Sequence, residues 1–212
     1  LLEREQSGKG QWVTTSLLEA QIAMLDFQAA RWTMNNDVPL QAGNDHPTLI
    51  PMGTFPTSDG HMNLAAPNTG RFKALCKAIG SDGLADDPDY ATGPLRSTNR
   101  VALNATIAEH TTKQSTAHWI QVLNEVSIPC GPINSIDETF ADPQVQHLAM
   151  AAPLDHPRLG EIKIVRHAVS MNRTPHGINR HAPGAGEHTN EVLAEAGLSE
   201  DRITSLRASG AI

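Results

Sequence analysis

The chain has 212 residues, of which 39% are hydrophobic and 18% are charged, and its formal net charge is −7. This is the composition of a folded globular protein, and the length is enough for one large domain or two small ones. A moderately acidic chain argues against nucleic acid or an anionic membrane as its main partner. Every apolar run also falls short of the roughly 20 residues that a membrane span needs.

The two cysteines and the first residues bear on the cellular setting. Cys76 and Cys130 lie far apart in apolar surroundings, and this usage favours a reduced cytoplasmic protein with buried thiols over a disulfide-bonded secreted one. The sequence opens on Leu1-Leu2-Glu3-Arg4-Glu5, without an initiator methionine, and resembles the end of a helix already under way. We therefore expect a fragment whose N-terminal portion is missing.

A long helix is predicted near the start of the chain. Trp12–Thr15 is a short β-prone run, and Ser16 with Glu19 three residues later forms a capping-box pattern. Apolar residues recur at helical spacing until residues 35–39 end the helix. These residues are Leu18, Ile22, Leu25, Ala29 and Trp32. Because the apolar stripe is long, we expect it to pack against another domain or subunit.

The middle of the chain predicts a β-hairpin followed by a helix. Met52–Phe55 and Met62–Ala66 have strand-like sequences and flank the turn Ser58-Asp59-Gly60. Asn68 then caps a helix that stops at Gly80. The residues expected on its buried face are Phe72, Leu75, Cys76 and Ile79.

Two more helices are predicted after residues 82–94, which are rich in Asp, Gly and Pro and therefore indicate a loop. The first begins at Ser97 or Thr98 and ends near residue 112, and the second begins at Ser115. The first helix runs through Val101, Ala105 and Ala108. The residues expected to face inward in the second are Trp119, Ile120, Leu123 and Val126.

The last third of the chain is less regular. Ser135 and Glu138 form a second capping box that opens a short helix. Residues 173–186 have little periodicity and indicate an extended connection. The other predicted elements are an extended segment at 130–133, a strand at 161–165 and terminal helices at 189–196 and 199–208. Together these elements predict the α+β class.

The loop between the first helix and the hairpin holds the best candidates for ligand contact. Gly43, Asn44, Asp45, His46 and Pro47 combine glycine with polar side chains between two regular elements, where backbone amides are free of ladder hydrogen bonds. His46 is the best candidate for a general acid or base, because imidazole titrates near neutral pH. The simpler alternative is a loop histidine bonded to the backbone.

The sequence predicts neither a metal-binding site nor a catalytic nucleophile in this chain. The ten histidines form no His-Glu-x-x-His pattern, and paired-cysteine motifs are missing, so His176 with His181 is a weak metal hypothesis that we do not favour. Cys76 and Cys130 look like core residues, and the serines lack the context of a nucleophile elbow. No residue is therefore predicted to be a catalytic nucleophile.

Several separated motifs occur in an order that covers essentially the whole chain. They are Ser7–Val13, Ser16–Ala20, Gly43–Pro47 with Phe55 and Asp59-Gly60, Ile128–Asn134, Asp142–Val145 and Gly186–Leu193. In this order they resemble the second half of class III CoA-transferases, the formyl-CoA transferase and carnitine-CoA transferase (CaiB/BaiF) group.

The resemblance implies a two-domain enzyme whose protomers thread through each other as an intertwined homodimer. Residues 1–42 would be the connecting segment and long helix from a large Rossmann-like domain, and 43–157 the small α+β domain. Residues 158–212 would be the return linker and C-terminal helices. The large domain would be mostly missing from this chain.

The resemblance also implies an acyl-CoA:carboxylate CoA-transferase, which passes CoA from an acyl-CoA to a small carboxylic acid through an aspartyl intermediate. The nucleophilic aspartate is expected upstream, a CoA thioester is a substrate, and no cofactor is tightly bound. The loop from Gly43 to Pro51 would act as a lid over the intermediates. Family members often carry Pro-Tyr-Gly where this chain has Pro51-Met52-Gly53. The resemblance therefore does not predict the identity of the acid substrate.

Two alternatives are kept. An acyl-CoA racemase of the same fold would move a proton at the α-carbon with His and Asp bases. A non-catalytic fragment or subunit would instead pair with a partner chain that carries the CoA site.

Overall fold

The chain divides into two units, Leu1–Ile133 and Asn134–Ile212, in a computed structural model that describes residues 1–175, 177–178 and 180–212. The helices of the first unit are α1 Leu2–Ser7, α2 Leu17–Ala23, α3 Phe27–Asn35, α4 Thr69–Ala78, α5 Asp82–Asp86, α6 Gly93–Thr98, α7 Arg100–Thr111 and α8 Thr116–Glu125. Its strands are β1 Met52–Pro56, β2 His61–Ala65 and β3 Cys130–Pro132. The mixture of helix and sheet agrees with the predicted α+β class.

The predicted long connecting helix is two helices, α2 and α3. Its start is as predicted, because the Ser16 side chain accepts a hydrogen bond from the Glu19 N–H. Asp26, however, has a φ of 48°, in the left-handed region that interrupts a right-handed helix. The prediction of one continuous helix was therefore wrong. Trp12–Thr15 is irregular, so the predicted β-prone run was also wrong.

The apolar stripe of α2 and α3 lies on the surface of this chain. Ile22 is 54% exposed, Leu25 51% and Trp32 52%. The expectation that another domain or subunit covers this stripe stays a prediction.

A three-stranded antiparallel sheet in the order β1-β2-β3 organises the first unit. The predicted hairpin is confirmed, with Met52 opposite Ala65 and Pro56 opposite His61. The Asp59 carboxylate in its turn accepts hydrogen bonds from the Thr116 N–H at 2.8 Å and hydroxyl at 2.9 Å. These bonds, the backbone one first, hold the pKa of Asp59 below its ordinary value.

The core of the first unit lies between this sheet and α4, α7 and α8. Helix α4 is as predicted: Asn68 caps it, and Gly80 follows its end with a φ of 70°. Cys76 is fully buried, and burial raises its thiol pKa to about 11, whereas Cys130 is half-buried. The buried apolar side chains include Ile50, Phe55, Met62, Leu64, Phe72, Leu75, Leu103, Ile107, Trp119, Leu123 and Ile128.

Residues 82–111 differ from the prediction in two ways. The predicted loop at 82–94 contains α5, a 3-10 turn at Pro88–Tyr90 and the start of α6. The predicted helix from Ser97 or Thr98 is two helices, α6 and α7. Helix α7 buries Leu103, Ile107 and Thr111, whereas Val101 is 81% exposed. Its inward face is thus the one with the larger aliphatic side chains.

The second unit consists of short helices and a β-hairpin. Its elements are α9 Ile136–Ala141, α10 Pro143–His147, β4 Ala151–His156, β5 Gly160–Val165, α11 Thr189–Glu195 and α12 Glu200–Ala208. The capping box at Ser135 and Glu138 is confirmed. Strand β4 was not predicted, because Pro153 lies inside it and proline within a run argues against a strand. It pairs with the predicted strand β5, with Ala151 opposite Val165.

The described residues between 173 and 186 have no helix or strand, as predicted. At the end of this range His181 Nε2 lies 2.8 Å from a Glu187 oxygen, and the Gly184 N–H donates to the other oxygen at 2.7 Å. These contacts lower the pKa of Glu187, the Gly184 bond first. Within the described ranges, each helix is too short or too polar to cross a lipid bilayer.

Candidate functional site

The candidate loop Gly43–Pro47 lies beside strand β1 and is bonded to it. Asp45 forms an isolated antiparallel bridge with Gly53. The His46 N–H donates to the Met52 carbonyl at 2.8 Å. Gly43 and Asn44 are exposed, whereas the three residues after them are half-buried. The Asn44 carbonyl also accepts a hydrogen bond from the Thr54 N–H at 3.3 Å. The loop therefore has an exposed tip, bonded to β1 through the Asn44 backbone, and a half-buried second half.

Close approach of this loop explains the glycine in Pro51-Met52-Gly53. A Cβ added at Gly53 would lie 2.6 Å from Asp45 Oδ1 and 2.8 Å from the Asn44 carbonyl oxygen. Such distances require the loop backbone to move. Gly43 has a φ of 59°, which glycine adopts at low energy. The close approach of the loop thus requires a residue without a Cβ at position 53, and glycine suits the φ at position 43.

The His46 ring is held on both sides. Its Nδ1 accepts hydrogen bonds from the N–H groups of Thr48 at 3.2 Å and Leu49 at 3.0 Å, and its ring stacks on Phe27 at 5.8 Å between centroids. Since Nδ1 is an acceptor, the ring proton of the neutral form lies on Nε2. The backbone-bonded alternative is therefore the one observed, and Nε2 is the nitrogen left for contact with a ligand.

Arg96 of α6 is buried, with 1% of its surface exposed, and bonds to Ile50 near the C-terminal end of the Gly43–Pro51 loop. Its guanidinium donates to three carbonyls: Ile50 at 3.1 Å, Tyr90 at 2.9 Å and Pro67 at 2.7 Å. It also lies 4.8 Å from the centroid of the Phe72 ring. Burial lowers the pKa of Arg96 from its ordinary value. One cation thus fixes the end of the loop to two other segments of the chain.

A second arginine, Arg100 at the start of α7, reaches the loop itself. Its Nη2 donates to the Pro47 carbonyl at 2.7 Å and to the Ser97 hydroxyl at 3.0 Å. Its Nε donates to the Ser97 carbonyl at 3.1 Å. These bonds hold the half-buried guanidinium in one orientation beside the candidate loop.

A cavity of about 380 Å³ opens beside Arg100 and Pro47. Its lining residues are Arg31, Asp37, Val38, Leu40, Gln41, Pro47 and Arg100. Arg31 pairs with Asp37, each of its Nε and Nη2 atoms lying 2.8 Å from Oδ2. We refer to this space as the Arg100 cavity. It is the concave surface that adjoins the loop predicted from the sequence.

The sequence predicts the loop but not the roles of Arg31, Arg96 and Arg100 around it. Arg96 follows the predicted loop and Arg100 lies in the predicted helix after it, and their carbonyl partners in 47–50 are 46 and 53 residues away. Arginine is seldom fully buried, so no local pattern distinguished these side chains from surface residues.

The described residues include no group of three His, Cys, Asp or Glu side chains that could hold a metal ion. His176, one of the pair in the weak metal hypothesis, lies outside the described residues. Its proposed partner His181 contacts Glu187 and the ring of His156, whose centroid is 4.9 Å away.

Comparison with known proteins gives the class to which this chain belongs. The family model described as CoA-transferase family III matches residues 1–189, most of the chain. The chain therefore belongs to CoA-transferase family III, as the motifs indicated.

Individual relatives carry related names. The succinate–glutarate CoA-transferase of Agrobacterium fabrum is 36% identical over 204 residues, which are 96% of this chain and 51% of that protein. The human succinyl-CoA:glutarate CoA-transferase is 30% identical over 213 residues, 100% of this chain and 49% of the relative. The succinyl-CoA:mesaconate CoA-transferase of Haloarcula marismortui is 32% identical over 196 residues, 92% and 49% of the two chains. The chain thus spans about half the length of these curated relatives.

A solved structure supports the fold. The crystal structure of a CAIB/BAIF family protein from Brucella suis matches with a TM-score of 0.74 and 30% sequence identity. The match covers 92% of this chain and 50% of that protein.

Proposed function

We propose that this chain is part of an acyl-CoA:carboxylate CoA-transferase that exchanges CoA between small dicarboxylic acids. The observation that carries the proposal is the family match over residues 1–189 together with relatives named for CoA transfer involving succinate or succinyl-CoA. The substrates are a CoA thioester and a free acid, and the enzyme needs no tightly bound cofactor. We place it in the cytoplasm as an intertwined homodimer.

In the proposed mechanism an aspartate outside these residues attacks the acyl-CoA carbonyl and expels the CoA thiolate, which leaves an acyl–aspartyl anhydride. The thiolate then attacks the aspartyl carbonyl, so the donor acid leaves and an aspartyl–CoA thioester remains. The acceptor carboxylate attacks the aspartyl–CoA carbonyl and expels the CoA thiolate, which forms a second anhydride. The thiolate then attacks the acceptor-derived carbonyl of that anhydride. The new acyl-CoA departs and the aspartate carboxylate is regenerated.

The part of this chain in the mechanism is to shield and position. We propose that Gly43 and Asn44, the exposed tip of the loop, cover the aspartyl intermediates and limit their hydrolysis. His46 and Pro47 would form the fixed base, which is supported by their bonds to Met52 and Arg100. In the domain arrangement that we propose, residues 1–42 connect to the large domain, 43–157 form the small domain and 158–212 return to the large one.

The test is a CoA-exchange assay on the polypeptide in which the natural reading frame places these residues. We expect succinyl-CoA and glutarate to give glutaryl-CoA and succinate in equal amounts, and residues 1–212 alone to give none. Hydrolysis without exchange, or exchange by residues 1–212 alone, would contradict the proposal. Deuterium uptake from D2O at the α-carbon of a 2-methylacyl-CoA, without an acceptor acid, would favour the racemase instead.

A further inference from the structure

We propose that the Arg100 cavity binds one carboxylate of a dicarboxylic acid, with the Arg100 guanidinium as the cation that holds it. This inference rests on the proposed function and assigns part of its acid specificity to named residues. It is carried by the charge, the free donors, the size and the position of the cavity.

The cavity carries a positive charge that is not neutralised locally. The guanidinium groups of Arg31 and Arg100 line the cavity together with one carboxylate, that of Asp37. Asp37 is bonded to Arg31 through Oδ2. Arg100 donates only to carbonyl and hydroxyl oxygens and has no carboxylate partner among the residues that the structure describes. A half-buried cation without a counter-ion favours an anionic ligand.

Arg100 is also oriented before any ligand arrives. Its Nε and Nη2 atoms are occupied by bonds to Ser97 and Pro47, whereas Nη1 has no hydrogen bond within the described ranges. Two N–H donors therefore remain on a planar group that cannot rotate freely. A fixed guanidinium binds a carboxylate with less loss of conformational entropy than a mobile lysine would.

Size and lining indicate a short acid. The cavity volume of about 380 Å³ is near the lower end of the roughly 300–1,000 Å³ found for ligand pockets. Val38, Leu40 and Pro47 supply apolar surface for a chain of methylene groups, and Gln41 adds a polar amide. A four- or five-carbon acid suits this space, whereas a whole CoA molecule does not.

An acid held by Arg100 needs a second carboxylate to take part in the reaction. An acid whose only carboxylate is held by Arg100 cannot present that group to receive CoA. A dicarboxylic acid can leave one end on Arg100 while the other end reacts. Because Arg100 bonds to the Pro47 carbonyl, the held end would lie beside the loop that we propose as the lid.

The test measures binding of glutarate by calorimetry, without a CoA donor, to the polypeptide in its natural reading frame. Arg100→Gln should weaken glutarate binding by about 10-fold or more, because hydrogen bonds to charged groups are lost. The matched control Arg71→Gln changes an exposed arginine of α4 and should leave the affinity unchanged. Pentanoate, with the same carbon number and one carboxylate, should bind weakly to every variant.

A second variant covers the possibility that Arg100→Gln does not fold, which its thermal midpoint will show. Gln41→Glu places a negative charge at the exposed edge of the cavity and should also weaken glutarate binding, whereas Gln146→Glu, an exposed site in the second unit, should not.

The possible results separate this inference from the proposed function. Unchanged glutarate affinity in Arg100→Gln or Gln41→Glu, or pentanoate binding as tight as that of glutarate, overturns the inference. So does a loss of CoA affinity with glutarate affinity retained, since the cavity would then hold a phosphate. If the wild-type protein binds glutarate in this Arg100-dependent way but transfers no CoA, the proposed function fails while the site stands.

Discussion

Replacing Arg96 by methionine tests the idea that one buried cation anchors the C-terminal end of the Gly43–Pro51 loop at Ile50. Arg96 is 1% exposed and donates to the carbonyls of Ile50, Pro67 and Tyr90. Methionine retains most of the packing against Phe72 but donates no hydrogen bond. The substitution therefore leaves three carbonyls to find new partners.

The expected loss of stability follows from these three bonds. Each buried acceptor left unpaired costs about 1–3 kcal/mol. Removing the cation offsets part of this loss, because burying a charge is itself unfavourable by several kcal/mol. We expect the free energy of unfolding to fall by about 3 kcal/mol, a large share of the roughly 5–15 kcal/mol that holds a domain together. Arg96→Lys should fall between wild type and Arg96→Met, since an ammonium keeps the charge and reaches fewer carbonyls.

Urea denaturation followed by circular dichroism measures this change, and Arg71→Met, at an exposed position in α4, is the control that should stay within about 0.5 kcal/mol of wild type. Hydrogen exchange gives a local measurement. The amides of His46 and Ala66, which donate to Met52 and Pro51, should exchange faster in Arg96→Met. A loss below about 1 kcal/mol, with both amides still protected, would refute the anchoring role.

Three further predictions concern the loop, the core and the pH dependence of stability. Gly53→Ala should destabilise by about 1–3 kcal/mol through its clash with the loop, whereas Gly131→Ala, whose Cβ meets no atom within 4 Å, should have little effect; equal urea midpoints would contradict the close approach. Leu103→Ala should cost about 2–5 kcal/mol and Val101→Ala less than about 0.5 kcal/mol, and the reverse order would mean that α7 faces the other way. The pKa of Asp59 is lowered on folding, so its contribution is present above the unfolded-state pKa and is lost as the pH falls through the folded-state value. Asp59→Asn should lose less stability than wild type between pH 5 and about pH 2, and parallel pH profiles would contradict this.

The elements predicted correctly from the sequence are those with short-range signals. The caps at Ser16, Asn68, Ser115 and Ser135 each accept a hydrogen bond from the N–H three residues later, and such a bond depends on residues adjacent in the chain. The hairpin turn at 58–60 is of the same kind. These features therefore require no knowledge of the tertiary fold.

The failures occur where the local sequence lacks the usual signal or carries a misleading one. Asp26 interrupts a helix without the glycine or proline that usually marks a break, and strand β4 contains Pro153 yet pairs along its whole length with β5. The buried face of α7 is decided by its packing on the core, which a weakly amphipathic sequence does not specify.

In the candidate site, too, the part with a local sequence signal was predicted and the part formed by distant residues was not. Gly43–Pro47 was found because a polar, glycine-containing loop is visible locally and matches a family motif. The Arg100 cavity was missed because its lining comes from residues 31–47 and from Arg100, and their proximity arises only in the folded chain. Contacts at such separation leave no periodic signal in a single sequence.

The most direct test of the central claim is to trap the covalent intermediate. The polypeptide in its natural reading frame is incubated with succinyl-CoA, quenched with hydroxylamine or borohydride, and mapped by peptide mass spectrometry. We predict that a single aspartate outside residues 1–212 carries the modification. Modification of a residue within 1–212, or no modification in a preparation that exchanges CoA, would contradict the account.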